Sequence, residues 1–329
     1  MRWLKITAIT LVLLLVIYFV GPQPETPVYN KAFSAIPSSP AELTNYIAAA
    51  EGKHKIKPGN NAGIVWYDSL QRKTEYAIVY LHGFSASREE GSPVHTDIAT
   101  QFGCNLYLPR LAEHGIDTTE PMVNLTAGKL WESAKEALNI GRQLGHKVIL
   151  MGTSTGGSLA LQLAAIYPND VAALILLSPN IAINDAHAYL LNNPWGLQIA
   201  WMVIGSDYNQ SKNKTAIYKK YWQYKYRLEA AVQLEEYLET AMTPETFEAV
   251  KQPVLALYYY KDEQHQDPVV KVSAIRQMMK ELGTPLQLKK EQAIANAGNH
   301  VIGSYILSKD VPAVEKAVSD FMVNIVKKK

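Results

Sequence analysis

From Tyr76 almost to the end of the chain, short apolar runs alternate with longer segments whose apolar residues recur at helical spacing. Tyr76 to Leu81, Asn105 to Leu108, His146 to Met151, Val171 to Leu177 and Pro253 to Tyr260 have the length and composition of buried strands, with shorter candidates at Gly63 to Tyr67 and Pro285 to Lys290. Ala41 to Glu51, Ala127 to Leu144, about Val270 to Leu282 and about Val311 to Val326 carry the helical pattern. Strands that lack a polar face and alternate with helices predict a mostly parallel central sheet flanked by helices on both sides.

The alternation is interrupted once and preceded by two other textures. From Asn180 to about Gln252 the segments are helical and crowded with aromatics, among them Trp195, Trp201, Tyr208, Tyr221 and Trp222. An insertion between two core strands forms a cap, and its stretch Pro194 to Ile204 is apolar enough to line an acyl pocket, touch a membrane or pack on the sheet. Before the domain, residues 22–40 hold Pro22, Pro24, Pro27, Pro37 and Pro40 among polar residues, which predicts an extended linker. Residues 1–21 read as a membrane segment, because Arg2 and Lys5 precede a charge-free apolar run from Ile6 to Val20. Bulky residues at the end of that run favour a retained signal-anchor over a cleaved signal peptide. The domain of residues 41–329 is then expected on the extracytoplasmic side, or secreted or periplasmic if cleavage occurs.

Charge excludes more than it suggests. With Lys+Arg at 32 and Asp+Glu at 30, the chain carries +2 and gives no electrostatic ground for a nucleic-acid partner. Cys104 is the only cysteine, so no intrachain disulfide forms, and no Cys/His cluster has zinc-ligand spacing. Neither a metal nor a cofactor is expected.

The chemistry centres on Gly152-Thr153-Ser154-Thr155-Gly156, a turn between the strand ending at Met151 and a helical segment that follows. Small residues two before and two after a serine let the backbone pass through a strained corner that exposes the hydroxyl. A serine hydroxyl needs a base, and His300 closes the loop Ala295 to Asn299 after the last strand. The imidazole in turn needs a carboxylate, for which Asp262 and Asp267 compete after the strand Pro253 to Tyr260. Asp267 is favoured, with Asp262 as the alternative, because Asp267-Pro-Val-Val270 suits a loop that swings the carboxylate under the histidine. Two donors for an oxyanion come from the backbone N–H of Thr155 and of Phe84, the latter in the turn His82-Gly83-Phe84.

From about Glu75 to Lys327 the chain resembles the monoacylglycerol lipase and carboxylesterase branch of the α/β-hydrolases. The likeness rests on His82-Gly83-Phe84-Ser85-Ala86-Ser87, on Leu108 to Gly115, on the serine turn and on Ala297-Gly298-Asn299-His300. It implies the α/β-hydrolase fold, a triad of Ser154, His300 and an aspartate, and an insertion that acts as a lid over an acyl cleft. The expected function is a serine hydrolase that cleaves carboxylic esters of lipid-like or other apolar acyl groups through an acyl-enzyme. Acyl transfer, thioester hydrolysis and peptide cleavage are alternatives on the same fold, and a catalytically silent binding module is the non-enzymatic one.

Overall fold

The computed structural model describes residues 2–327, so Met1 and the last two lysines of the expected terminal segments lie outside the described residues. Helices α1 (Arg2–Phe19) and α2 (Pro40–Glu51) come first, followed by β1 (Gly63–Val65), β2 (Thr74–Leu81), α3 (Val94–Phe102) and β3 (Asn105–Leu108). Then come α4 (Ala127–Leu144), β4 (Gly145–Thr153), α5 (Thr155–Ile166) and β5 (Val171–Leu177). The insertion holds α6 (Gly196–Ile204), β6 (Tyr208–Gln210), α7 (Ala216–Tyr221) and β7 (Lys225–Arg227), and leads into α8 (Leu228–Ala241) and α9 (Pro244–Ala249). The chain closes through β8 (Val254–Tyr258), the small hairpin β9 (Tyr260–Asp262) and β10 (His265–Gln266), α10 (Val272–Glu281), β11 (Lys289–Ala293) and α11 (Val311–Phe321).

Seven strands form one sheet in the order β1-β3-β2-β4-β5-β8-β11, parallel except for the β1–β3 pair. The reason is visible in β2: Ala77, Val79 and Leu81 join the core against α4 and α5, while Tyr76, Ile78 and Tyr80 join the core against α3 and α11. Alternate side chains point to opposite faces, so a strand buried on both must be apolar at every position. Reversal of strand order on either side of β2 and β4 leaves a crevice at their C-terminal ends, where such sheets bind ligands.

The proline-rich segment differs from the expected free linker. Residues 22–39 have no regular secondary structure, yet Tyr29, Phe33 and Ile36 pack against the core. The Asn30 carbonyl accepts from Trp131 Nε1 and Lys135 Nζ, both at 2.8 Å, and Tyr167 donates its hydroxyl hydrogen to the Lys31 carbonyl at 2.8 Å. Phe33 stacks on Tyr167 with ring centres 4.5 Å apart. Prolines keep the chain extended, and the aromatics between them anchor it as a strap across α4 and α5.

The first helix also departs from expectation. Among the described residues, no helix is long and apolar enough to cross a membrane. After Lys5, the apolar part of α1 rises only about 21 Å, short of the roughly 30 Å hydrocarbon core. The expected membrane-spanning segment is therefore unsupported. The exit of α1 is fastened to the cap, where Trp195 donates from its indole to the Ile17 carbonyl at 3.0 Å and from its backbone to the Pro22 carbonyl at 2.9 Å.

The insertion is not wholly helical, because β6 and β7 form an antiparallel ribbon. Within the expected span, α8 places Ala230, Leu234, Tyr237, Leu238 and Ala241 in the main core, so this helix belongs to the layer over the sheet. Only the stretch before it stands over the crevice as a cap.

Candidate active site

β4 ends at Thr153 and α5 begins at Thr155, which leaves Ser154 alone to turn the chain, with φ 53° and ψ −121°. Conformations of that kind cost a non-glycine residue on the order of 1–3 kcal/mol, and the surrounding contacts must hold it. They do so through backbone: Ser154 N–H donates to the Leu177 carbonyl at 3.0 Å, and the Ser154 carbonyl accepts from Asn180 N–H at 3.0 Å and Gly157 N–H at 2.8 Å. The flanking glycines are required by space. A Cβ on Gly156 would lie 1.9 Å from the Leu81 carbonyl oxygen, and one on Gly152 would lie 2.4 Å from the Gly156 carbonyl.

That contact gives a direct prediction. Gly156→Ala meets backbone that no rotamer change can move, so it is expected to destabilise the protein by about 3 kcal/mol or more. Urea denaturation of the variant beside wild type measures it, and a loss under about 1 kcal/mol would contradict the packing described.

His300 lies in the loop after β11, and Asp267 lies after the β9–β10 hairpin that follows β8. Their side chains meet: His300 Nδ1 is 2.7 Å from Asp267 Oδ2. The other Asp267 oxygen accepts from the backbone N–H of Val269 at 2.8 Å and of Val270 at 3.1 Å. The Asp-Pro-Val-Val turn thus fixes the carboxylate as well as supplying it. Asp267 is 1% exposed. Burial pushes its carboxyl up, but His300 and the two amides outweigh burial and hold it below the ordinary aspartate range. Burial lowers the His300 imidazole, and the charge and hydrogen bond of Asp267, with Glu90 adding to them, together more than reverse this, so the net shift is upward. With Nδ1 assigned as the donor, Nε2 carries the free lone pair. Asp262 does not reach this histidine; it pairs with His265 at 2.7 Å on the exposed hairpin.

No hydrogen bond joins the Ser154 hydroxyl to His300 in this structure, and such contacts commonly tighten only with substrate bound. Both residues are nearly enclosed, with exposures of 6% and 8%, at the same C-terminal edge of the sheet.

Among the described residues, no protein group accepts the backbone N–H of Phe84 or Thr155. The Thr155 amide is the first in α5, where a helix leaves donors free. The turn bearing Phe84 is braced from behind by His82, whose Nε2 accepts from Leu111 N–H at 3.1 Å and whose Nδ1 lies 2.9 Å from the Gly83 carbonyl. Burial first, then the nearby His114, keeps that imidazole well below its ordinary pKa and neutral. These contacts tie the His82-Gly83-Phe84 turn to the Leu108–Gly115 loop. A carboxylate missed from the sequence, Glu90, touches the same turn at Gly83 N–H.

Two cavities illustrate where chemistry can occur. One of about 530 Å³, lined by Lys73, Arg142 and His146, lies at the N-terminal ends of the strands, away from Ser154. Another of about 630 Å³ lies under α6, lined by Ile183, Leu191, Ala200, Val203, Tyr226 and Leu234. Tyr226 packs edge-on against Phe84 with ring centres 5.1 Å apart, so this second cavity adjoins the serine crevice.

A family model for the alpha/beta hydrolase fold matches residues 76–203. No protein of curated function matches the chain in sequence. Among solved structures, that of the metagenome-derived lipolytic enzymes LipS and LipT is similar at 18% identity and a TM-score of 0.65, over 82% of this chain and 100% of that one. The monoacylglycerol lipase of Paleococcus ferrophilus is similar at 16% identity and 0.59, over 80% and 97%. Est1E from Butyrivibrio proteoclasticus, solved with ferulic acid bound, is similar at 18% and 0.56, over 82% and 96%. The family match runs from β2 through the serine turn into the cap, and the structural likenesses extend beyond it on both sides, so the chain has the α/β-hydrolase fold and is similar to lipases and esterases built on it.

Proposed function

We propose that the protein is a serine-dependent carboxylic ester hydrolase acting on apolar acyl esters. The observation that carries the reading is the buried His300–Asp267 pair at the sheet edge that also presents Ser154 in a strained turn. Ser154 Oγ attacks the ester carbonyl carbon while its proton passes to His300 Nε2, and the carbonyl π electrons move onto oxygen, which faces the Phe84 and Thr155 amides. The tetrahedral intermediate collapses as the alcohol leaves with the proton from His300. Water then attacks the acyl-Ser154 ester by the same sequence and releases the acid. Asp267 stays ionised throughout and stabilises the imidazolium.

The apolar preference is supported by the cavity under α6, whose lining is largely aliphatic. Ala200→Phe projects a ring into that space. It is expected to lower kcat/KM for a dodecanoyl p-nitrophenyl ester about tenfold relative to the acetyl ester. Equal losses on both esters would argue against an acyl role for this cavity. The reading as a whole is tested with a fluorophosphonate probe, which is expected to label wild type and not Ser154→Ala; equal labelling of both would overturn it.

An extracytoplasmic location is part of the same proposal. Lys5 before the apolar run of α1 is the pattern of an export segment, and the run has the length of a signal core. Cell fractionation with the full chain tests this.

A further inference from the structure

Glu90 is a buried carboxylate beside the site that the reaction above leaves unused. It sits in the short turn Arg88–Gly91 and is 2% exposed. Burying a carboxylate is costly unless it is hydrogen-bonded, and here two donors hold one of its oxygens, Oε2. Gly83 N–H and the Tyr80 hydroxyl both donate to Oε2, the latter at 3.4 Å. Tyr80 also lies 2.9 Å from the hydroxyl of Thr153, the residue before the nucleophile. From the cap, the Trp222 side chain favours the charged carboxylate, and Trp222 packs with Ala86 and with Val301, the neighbour of His300.

The distance to the reacting group is one residue thick. A Cβ on Gly83 would lie 2.9 and 3.0 Å from the two Glu90 oxygens and 3.1 Å from Ser154 Cβ. Gly83 is the residue immediately before Phe84, so an anchor on its amide sets the direction of the next one.

We propose that Glu90 is a positioning residue of this active site: it anchors the oxyanion turn through Gly83 N–H and presents a second negative charge to the imidazole of His300. The inference rests on the hydrolase reading. Electrostatics agree with the geometry. Burial raises the Glu90 carboxyl, and after Gly83 N–H and the His300 charge pull it partly back it stands at about 7. In return, Glu90 joins Asp267 in raising the His300 imidazole. The other groups facing Glu90 are Tyr80 and Tyr218, both pushed above the ordinary tyrosine value by burial. Behind Tyr80, His95 is lowered to about 4, again by burial, so it remains neutral where Glu90 and His300 titrate.

The sign of the pH effect follows. A neutral His300 is needed as base, and the Glu90 anion stabilises its protonated form. Removing that anion lowers the imidazole pKa, so the acidic limb of the kcat/KM profile must move to lower pH. Glu90→Gln keeps an oxygen for Gly83 N–H and loses the charge. With p-nitrophenyl butyrate it is expected to lower kcat about tenfold with KM little changed, and to shift the acidic limb downward. Glu90→Ala, which also loses the anchor, is expected to cost about a hundredfold.

Trp222→Phe supplies a second variant should the glutamine protein not fold. Loss of the indole raises the Glu90 carboxyl and weakens its charge near neutrality, so the limb moves the same way. Titration of the His300 imidazole by NMR makes the same comparison without turnover. A downward shift in the folded variant supports the role; an unmoved limb and imidazole overturn it. Wild type that fails Ser154-dependent labelling defeats the hydrolase reading instead, and the NMR comparison still decides whether Glu90 and His300 are coupled.

Discussion

Ser154→Ala is expected to lower kcat for ester hydrolysis by about a hundred-thousandfold or more while the protein stays folded. The size follows from the proposed chemistry: alanine has no oxygen to form the acyl-enzyme, so the remaining reaction would be direct attack by water aided only by the amides proposed for the oxyanion. The fold survives because the turn at residue 154 is held by its own backbone and by Leu177, Asn180 and Gly157, not by the hydroxyl. Alanine meets the same strain at φ 53° that serine meets. KM is expected to change little, since the substitution removes no group proposed to bind the acyl or alcohol portion. Burst and steady-state kinetics with a p-nitrophenyl ester check this, and retention of more than about a hundredth of wild-type kcat would remove Ser154 from the mechanism.

The parts of this molecule that could be read in advance are those in which a local pattern fixes the outcome. In β2, β4 and β5 every residue of the core stretch is apolar, and only a strand covered on both faces tolerates that. Gly152 and Gly156 declared the serine turn because any side chain at either position collides with backbone. Asp267 is preferred to Asp262 in the sequence because its Asp-Pro-Val-Val turn suits a loop that swings the carboxylate under the histidine; the two amides that this turn directs at the carboxylate are visible only in the structure.

Features decided by distant contacts were hidden. Glu90 stands in Arg88-Glu89-Glu90, which looks like a solvated charge cluster; it is buried, and its partners Gly83 and Tyr80 lie outside its own short turn, 7 and 10 positions away in the numbering. Five prolines made residues 22–40 look like a linker, and the signal against that reading was Tyr29 and Phe33, apolar surface that a free tether has no reason to carry. The aromatic cap segment gave no alternation for the three-residue ribbon strands β6 and β7. At the sheet edge, Leu286–Leu288 forms a 3-10 turn that displaces β11 to Lys289–Ala293, a mostly polar strand whose pairing with β8 outweighs its weak propensity.

The second large effect concerns the proposed acid. Asp267→Asn is expected to lower kcat by about ten-thousandfold, although it changes a single oxygen to nitrogen and leaves the volume intact. The carboxylate oxygen 2.7 Å from His300 Nδ1 accepts a hydrogen bond, which keeps the proton on Nδ1 and the lone pair on Nε2. An asparagine retains an oxygen for the Val269 and Val270 amides and so turns its NH2 toward the imidazole. That donor requires a lone pair on Nδ1 and drives the proton to Nε2, where it blocks removal of the serine proton. The variant also loses the main charge that raises the His300 imidazole, so the ring is more fully neutral near pH 7 and still in the unusable tautomer. Linkage adds a stability signature. The Asp267 carboxyl is held below its ordinary value, so its contribution is present above the unfolded pKa and is lost as pH falls through the folded one. Wild type is therefore expected to lose more stability than Asp267→Asn on acidification below about pH 4. Asp262→Asn is the matching control: it removes an exposed pair with His265 only, and kcat is expected to stay within about twofold of wild type. Steady-state kinetics on the two variants separate the candidates, and a collapse of kcat in the Asp262 variant with the Asp267 variant unimpaired would reassign the acid.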